Sequence, residues 1–441
     1  MSFQTPLQTQ IQVLIDNAVE KKVAPGLQCV VFAGDKTLFN GVSGYATIPT
    51  ASDPNGSTMT QNNILWVASC TKLVTCLVVL HIVDRGVAKN FTLDDIDNHE
   101  KLVEVLPEFK HGSGSILTKI LEGFEDELGP DGKKVMKLRD AKGKVTLRML
   151  LTHSAGLGFG WNNPLLAELY TPSDGSKPHK NLPFDGGLDD FVVPLVHEPG
   201  EGYHYGFATD WLGQFAVRST GKNLRVLFKE FIFEPLGISP ADADLYIPPS
   251  LQPYCATVHC RDPSSPIGFK LNPFSTYTAE VLDEGKTYVA ESGLHCTLQG
   301  YARILQAAVT RDERIMSKET WEKSFKDDFA ARGLKVTVPD LPSIALDLCP
   351  VVDVFAKSNF PNAVGMNWLQ CKVATAPTTS GRPVGSFAWA GLPNVYYFAD
   401  PTNRVGAIIG ALLMPFYDTE VIQLRDNLET LIYDALPSLI A

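Results

Sequence analysis

The chain reads as an α+β fold: an antiparallel sheet flanked by helices and built from both termini, with an inserted, mostly helical region between them. Three observations point there. An amphipathic helix near the N-terminus runs into a pair of strands. At the other end, apolar strand-like runs lead into a closing amphipathic helix. The middle is dominated by helix and loop patterns. The expected division is a discontinuous α/β sandwich domain over 1–60 and 285–441 and a mostly helical domain over 61–284.

Each element has its own signal. Leu7, Ile11, Leu14, Ile15, Ala18 and Val19 recur at helical spacing and predict the first helix, which Pro25-Gly26 ends. LQCVVFAG and TLFNGVSGYA then read as a strand pair turning at Gly34-Asp35. From Leu65 to Val83 the sequence is strongly apolar with helical propensity. Segment 107–144 is rich in Gly, Lys, Asp and Glu and reads as an irregular, solvated excursion; 171–188, full of Pro, Gly, Ser and Asp, reads as a loop. WAGLPNVYYFAD and RVGAIIGALLMP are two apolar runs joined at Pro401-Thr402-Asn403. Val421, Leu424, Leu428, Leu431, Ile432 and Ala435 mark the closing helix.

Composition excludes several classes of function. The net charge of −11, with no basic run, speaks against a nucleic-acid partner, because phosphate binding needs a basic face. Nowhere do about 18 apolar residues run together, so no membrane span is expected. The first residues lack the basic start and apolar block of a secretory signal, and a soluble, cytoplasmic protein is the expectation. The eight cysteines are scattered and read as reduced thiols. Cys255, His259 and Cys260 form the one local cluster of metal-binding residue types, but their spacing matches no standard zinc pattern, and no metal site is expected.

Ser69-Cys70-Thr71-Lys72 is an S-x-x-K motif placed at the start of the apolar helix. Three-residue spacing puts both side chains on one helical face. A serine hydroxyl needs a neighbouring base to become a nucleophile. Lys72 can be that base if the apolar surroundings of Trp66, Val67, Leu73 and Val74 lower its pKa. Ser219-Thr220-Gly221-Lys222 fits the same pattern by chance at a helix-to-loop junction. By itself the motif is weak, and a helix-capping serine with an exposed lysine explains it more readily.

The segments that follow Ser69 sharpen the reading. LRMLLTHSAGL (147–157), PGEGYHYG (199–206), IFEPLGI (232–238), ESGLHCTLQGYARILQ (291–306) and SFAWAGLPN (386–394) occur in an order that resembles the serine β-lactamase-like superfamily. Within it the likeness is especially to class C β-lactamases and family VIII esterases, and greatest to fungal transesterases of the lovastatin acyltransferase type. It covers nearly the whole chain, apart from 107–144. The resemblance implies a β-lactamase-like fold and a covalent route in which Ser69 is the nucleophile and Lys72 and Tyr205 handle its proton. It makes Tyr205 the tyrosine of the PG-x-x-x-x-Y segment, with a phenol that a nearby Lys72 would shift below its ordinary value near 10. It also places Trp389-Ala390-Gly391 where class C enzymes carry Lys-Thr-Gly. A backbone N–H at Gly391 or Leu392, with that of Ser69, would form the oxyanion hole. His153 falls in a segment that the family uses structurally, where the histidine satisfies local backbone groups, and Cys70 points away from Ser69 into packing.

Two departures narrow the expected substrate. Trp389 cannot hold a substrate carboxylate as the family's lysine does, and Phe207 replaces the asparagine amide of Tyr-x-Asn. Both favour a hydrophobic ester or thioester over a β-lactam, with Phe159, Trp161, Phe207 and Trp389 as candidate lining residues. No separate deacylating glutamate motif is recognisable. The reading is therefore an acyltransferase of secondary (polyketide) metabolism. It would take a small-molecule acyl donor and an alcohol acceptor, with an acyl carrier protein or another thioester as possible donor, and needs no cofactor. A carboxylesterase or lactonase of the same fold, a weak β-lactamase and a non-catalytic ligand-binding member stay open as alternatives.

Overall fold

The computed structural model describes residues 6–130, 132–170, 188, 191–272, 290–336 and 364–439. The first helix, α1 (Pro6–Glu20), buries Leu7, Ile11, Ile15 and Ala18, the stripe its periodicity predicts. Strands β1 (Gly26–Ala33) and β2 (Lys36–Thr47) form the expected hairpin, and Gly34 turns it at a φ of +56°. A short strand β3 (Ser57–Thr58) pairs with the end of β2.

The rest of the main sheet comes from the far end of the chain: β4 (Val364–Met366), β5 (Lys372–Ala374), β6 (Phe387–Gly391), β7 (Val395–Asp400) and β8 (Val405–Gly410). The eight strands lie in the order β4-β5-β6-β7-β8-β1-β2-β3, every neighbour antiparallel. The two chain ends meet at β1 and β8, where Gln28 pairs with Gly410 and Ala33 with Val405. The first apolar run of the C-terminal end holds two strands rather than one, since the backbone turns between Gly391 and Val395. β1, β7 and β8 read as unbroken apolar runs because they are buried throughout or nearly so.

Helix α1 packs on β2 and on the closing helix α5 (Thr419–Leu439), while α4 (Leu298–Thr310) packs on β1 and β8. A buried ion pair fastens α5 to the loop before β6: Arg382 Nε lies 3.0 Å from Glu429 Oε2, and Ser380 donates to the same carboxylate.

Between the two sheet-forming ends lie α2 (Thr71–Asp84), α3 (Ala208–Thr220) and shorter helices. Segment 119–140 corrects the expectation of an irregular excursion. Lys119–Leu128 and Lys134–Asp140 pair as an antiparallel hairpin. Ile120 and Leu121 anchor its base in the core, whereas cross-strand pairs Lys119–Asp140, Arg139–Glu122 and Lys137–Glu125 hold its solvated faces. The 171–188 stretch lies, residue 188 excepted, outside the described residues. Among the described residues no helix is long and apolar enough to cross a membrane.

Candidate active site

The nucleophile candidate does not stand on the long helix itself. Leu65–Trp66 is a short strand paired with His295–Cys296, Ala68–Cys70 is a single tight turn, and α2 begins only at Thr71. Uniform burial hides this boundary in the sequence, because apolar residues continue through strand, turn and helix alike. Ala68 carries a φ of +42°, a conformation that costs a non-glycine residue about 1–3 kcal/mol unless its surroundings enforce it. They do. Val67 N–H donates to Leu294 O at 3.1 Å, Thr71 Oγ1 donates to Ala68 O at 2.6 Å, and Tyr301 OH donates to Cys70 O at 2.7 Å. Ser69 is left half-buried while its neighbours on both sides are buried.

Segment 290–294 runs along the start of α2 and fixes its side chains one by one. Thr75 donates to Ala290 O, Leu294 N–H donates to Thr71 Oγ1, and Trp66 Nε1 donates to Ser292 O. Lys72 is almost fully enclosed here. Its Nζ donates to Ser69 Oγ at 3.1 Å, to Glu291 Oε2 at 3.2 Å and to Glu291 O at 3.3 Å. Tyr205 OH donates to Ser69 Oγ at 2.8 Å from the opposite segment, and the Lys72 nitrogen lies 4.8 Å from its ring centroid. Hydroxyl, amine and phenol are thus within hydrogen-bonding distance.

Electrostatics correct two expectations. Burial alone would lower Lys72, but the adjacent Glu291 carboxylate outweighs it and holds the ammonium above its ordinary value. For Tyr205, burial raises the phenol further than the Lys72 charge lowers it. Apolar neighbours therefore do not make Lys72 a free amine, nor does Lys72 make Tyr205 a phenolate, in the resting site. Asp210 on α3 is buried behind them; burial first and the Glu291 charge second push its carboxyl well above the carboxylate range.

The C-terminal end of β6 closes the other side. A Cβ on Gly391 would sit 2.2 Å from Val67 O, so only glycine lets β6 come this close to the serine turn. Gly391 is buried and Leu392 half-buried beside that turn.

The four candidate lining residues are all buried in one aromatic cluster around Tyr205. Trp161 and Trp389 flank the Tyr205 ring, with centroids at 6.1 and 5.5 Å. Phe159 stacks on Trp161 and meets Tyr205 edge-on at 5.3 Å. Phe207, as buried as Phe159 and Trp389, packs on Phe159 and Phe191. Asn162 ties this cluster to the tyrosine, since its Nδ2 donates to Tyr205 O at 2.8 Å while Phe159 N–H donates to its Oδ1 at 3.2 Å.

Other residues singled out in the sequence fall elsewhere. His153 packs its ring against Tyr203 and Tyr205, but among the described residues neither ring nitrogen meets a hydrogen-bond partner, so it does not satisfy local backbone groups. Cys70 is buried in packing. Ser219 closes α3, where Gly221 adopts the left-handed C-cap, and Lys222 pairs with Glu230. His259 accepts a hydrogen bond from Ile48 N–H, and Cys260 accepts one from Asn272. Sequence reasoning missed Glu291. It stands at the head of ESGLHCTLQG, and only its spatial meeting with Lys72, across 219 residues of chain, gives it meaning.

Comparison with known proteins agrees with the fold. The model of the beta-lactamase family matches residues 11–417. Acyltransferase calJ of Penicillium decumbens is 28% identical over 393 residues, covering 88% of this chain and 84% of its own. Lovastatin esterase of Penicillium rubens is 26% identical over 413 residues, covering 92% and 93%. Among solved structures, the LovD6 mutant of simvastatin synthase (LovD) from Aspergillus terreus superposes with a TM-score of 0.77 over 98% of this chain and 96% of its own, at 23% identity.

Proposed function

The chain belongs to the beta-lactamase family, and from that premise we propose that it is a serine acyltransferase working through an acyl-Ser69 intermediate. The carrying observation is that Lys72 and Tyr205 both hydrogen-bond Ser69 Oγ, at 3.1 and 2.8 Å. In this reading Ser69 Oγ attacks the carbonyl of an acyl donor. Backbone N–H groups of Ser69 and of Gly391 or Leu392 take up the negative charge that develops on oxygen. Lys72 takes the serine proton while the Tyr205 phenol gives its own proton to the leaving group and regains one from Lys72. When the acyl group moves on, the same relay runs in reverse and carries the proton of the incoming alcohol back to Ser69 Oγ.

A hydrophobic ester or thioester is the proposed donor, and a polyketide-like alcohol the acceptor. Trp161 and Trp389 beside Tyr205 offer aromatic surface, and the names of simvastatin synthase and lovastatin esterase support the same substrate class. The donor can be a small thioester or one carried on an acyl carrier protein. Hydrolysis of the same esters is the second reading, favoured by the likeness to lovastatin esterase along almost the full length of both chains.

One experiment divides them. The protein is incubated with a butanoyl thioester, with and without a hydrophobic secondary alcohol, and the products and the intact protein mass are followed. An acyl adduct on Ser69 that drains into alcohol ester supports the transferase. Free acid alone, whatever the alcohol concentration, makes the chain a hydrolase, and no adduct or turnover removes both readings.

A further inference from the structure

The Lys72 nitrogen has three acceptors around it, one for each proton of an ammonium: Ser69 Oγ, Glu291 O and Glu291 Oε2. An ammonium has no lone pair, so this lysine cannot take the serine proton until it has given one up. Of its three acceptors, Ser69 is the group to be deprotonated and a main-chain carbonyl does not hold a proton at ordinary pH. That leaves the carboxylate of Glu291, itself buried and 3.2 Å away.

We infer that Glu291 is a positioning residue that seats the Lys72 ammonium against Ser69 and stores the proton Lys72 must release before it can act as a base. The step balances: an N–H bond of Lys72 breaks, an O–H bond forms on Glu291 Oε2, and the ion pair becomes a neutral pair. Lys72 then takes the Ser69 proton as Oγ bonds to the acyl carbon. Exclusion of water favours this exchange, because a dry cavity weakens the advantage of charged over neutral forms. The groups facing the pair fit that role. Asp210 from α3 is held protonated and so does not compete as the counter-charge; Tyr205 stays a phenol; His153 is kept neutral by burial and by the Lys72 charge; Cys70 and Cys76, beside Lys72 in sequence, are buried thiols.

This inference rests on the acyl-Ser69 reading, and its test separates the two. A fluorophosphonate probe is reacted with the wild type, with Glu291→Gln and with Glu291→Asp, and the rate of Ser69 labelling is measured from pH 5 to 10. In the wild type, labelling falls on the acid side as the Glu291 carboxylate protonates. In Glu291→Gln the acid limb belongs to Lys72 itself, so it moves to higher pH by about one unit or more, with at least roughly 10-fold slower labelling at neutral pH. Glu291→Asp keeps a carboxylate and keeps the limb near its wild-type position. Labelling by Glu291→Gln with an unmoved limb overturns the inference and leaves the acyl-enzyme reading intact. Should Glu291→Gln fail to fold, an acid limb in Glu291→Asp no closer to wild type than that of Glu291→Ala also overturns it. Absence of labelling in the folded wild type removes both.

Discussion

Gly206 lies so close to Leu157 that a Cβ placed on it would sit 2.2 Å from the Leu157 carbonyl oxygen. The residue after Tyr205 must therefore be glycine if the phenol is to reach Ser69. Gly206→Ala moves the Tyr205 backbone, and a shift of about 1 Å in a reacting group costs about 10²-fold. The expected outcome is a drop of that size in Ser69 acylation, with circular dichroism and oligomeric state unchanged. Wild-type rates in the folded variant would show that the close approach does not position Tyr205.

Removing either proton-handling group should be costly on its own. Lys72→Ala and Tyr205→Phe are each expected to slow acylation by at least about 10²-fold, the usual worth of a positioned acid or base. Tyr205→Phe keeps the ring that Trp161, Phe159 and Trp389 pack against, so folding should be unaffected. Stopped-flow burst kinetics with a chromogenic ester measure both, and a near-normal rate in either variant removes that residue from the mechanism.

Stability should fall in acid over a defined window. Burial pushes His204 down to about 3 and His259 and His295 down to about 4, from an ordinary value of 6.5. Their folded pKa values are depressed, so the unfolded chain binds more protons between those values and 6.5. Stability is complete above 6.5 and declines as pH falls toward 4, by up to about 1.4 kcal/mol per pH unit for each histidine. Thermal melts from pH 8 to 4 read this directly. His259 Nε2 accepts from Ile48 N–H, so His259→Gln keeps an acceptor and should make the decline shallower. A melting temperature flat from pH 6.5 to 4 would contradict the account.

The Arg382–Glu429 pair makes a separate prediction about folding. Both side chains are almost wholly enclosed, and Glu429→Ala leaves a guanidinium in the interior without that counter-charge. Such a change costs about 3–5 kcal/mol. Urea denaturation should show it as a lower midpoint, while the Ser69 acylation rate of the protein still folded stays near wild type.

Much of the scaffold can be read from the residues because its periodicities are clean. α1 and α5 each bury one face, and their apolar positions repeat accordingly, while β1 is a nearly unbroken apolar run ending at the Gly34 turn. The start of α2 is hidden for the opposite reason: Leu65 through Val83, Ser69 aside, is buried on every side, so no pattern marks where strand becomes helix. The 119–140 hairpin is hidden because its outer part has two solvated faces and charge pairs in place of apolar alternation. At the site, Ser69, Lys72 and Tyr205 announce themselves by motif and order, and their roles rest on the variants above. Glu291 could not be found that way, since its only mark is a contact with a lysine on a distant helix. The direction of the Lys72 shift was lost with it, because burial and counter-charge pull oppositely and only coordinates show which prevails.

The pairing of β1 with β8 ties the start of the chain to its end. As the chain is synthesised, β1 has β2 on one side and an open row of amide and carbonyl groups on the other, until the last strands emerge from the ribosome. Gly391, which closes against the serine turn, arrives in that same final portion. A chain stopped short of β6 is therefore not a weakened catalyst. It leaves the free edge of β1 and its apolar faces exposed, open to pairing with other chains.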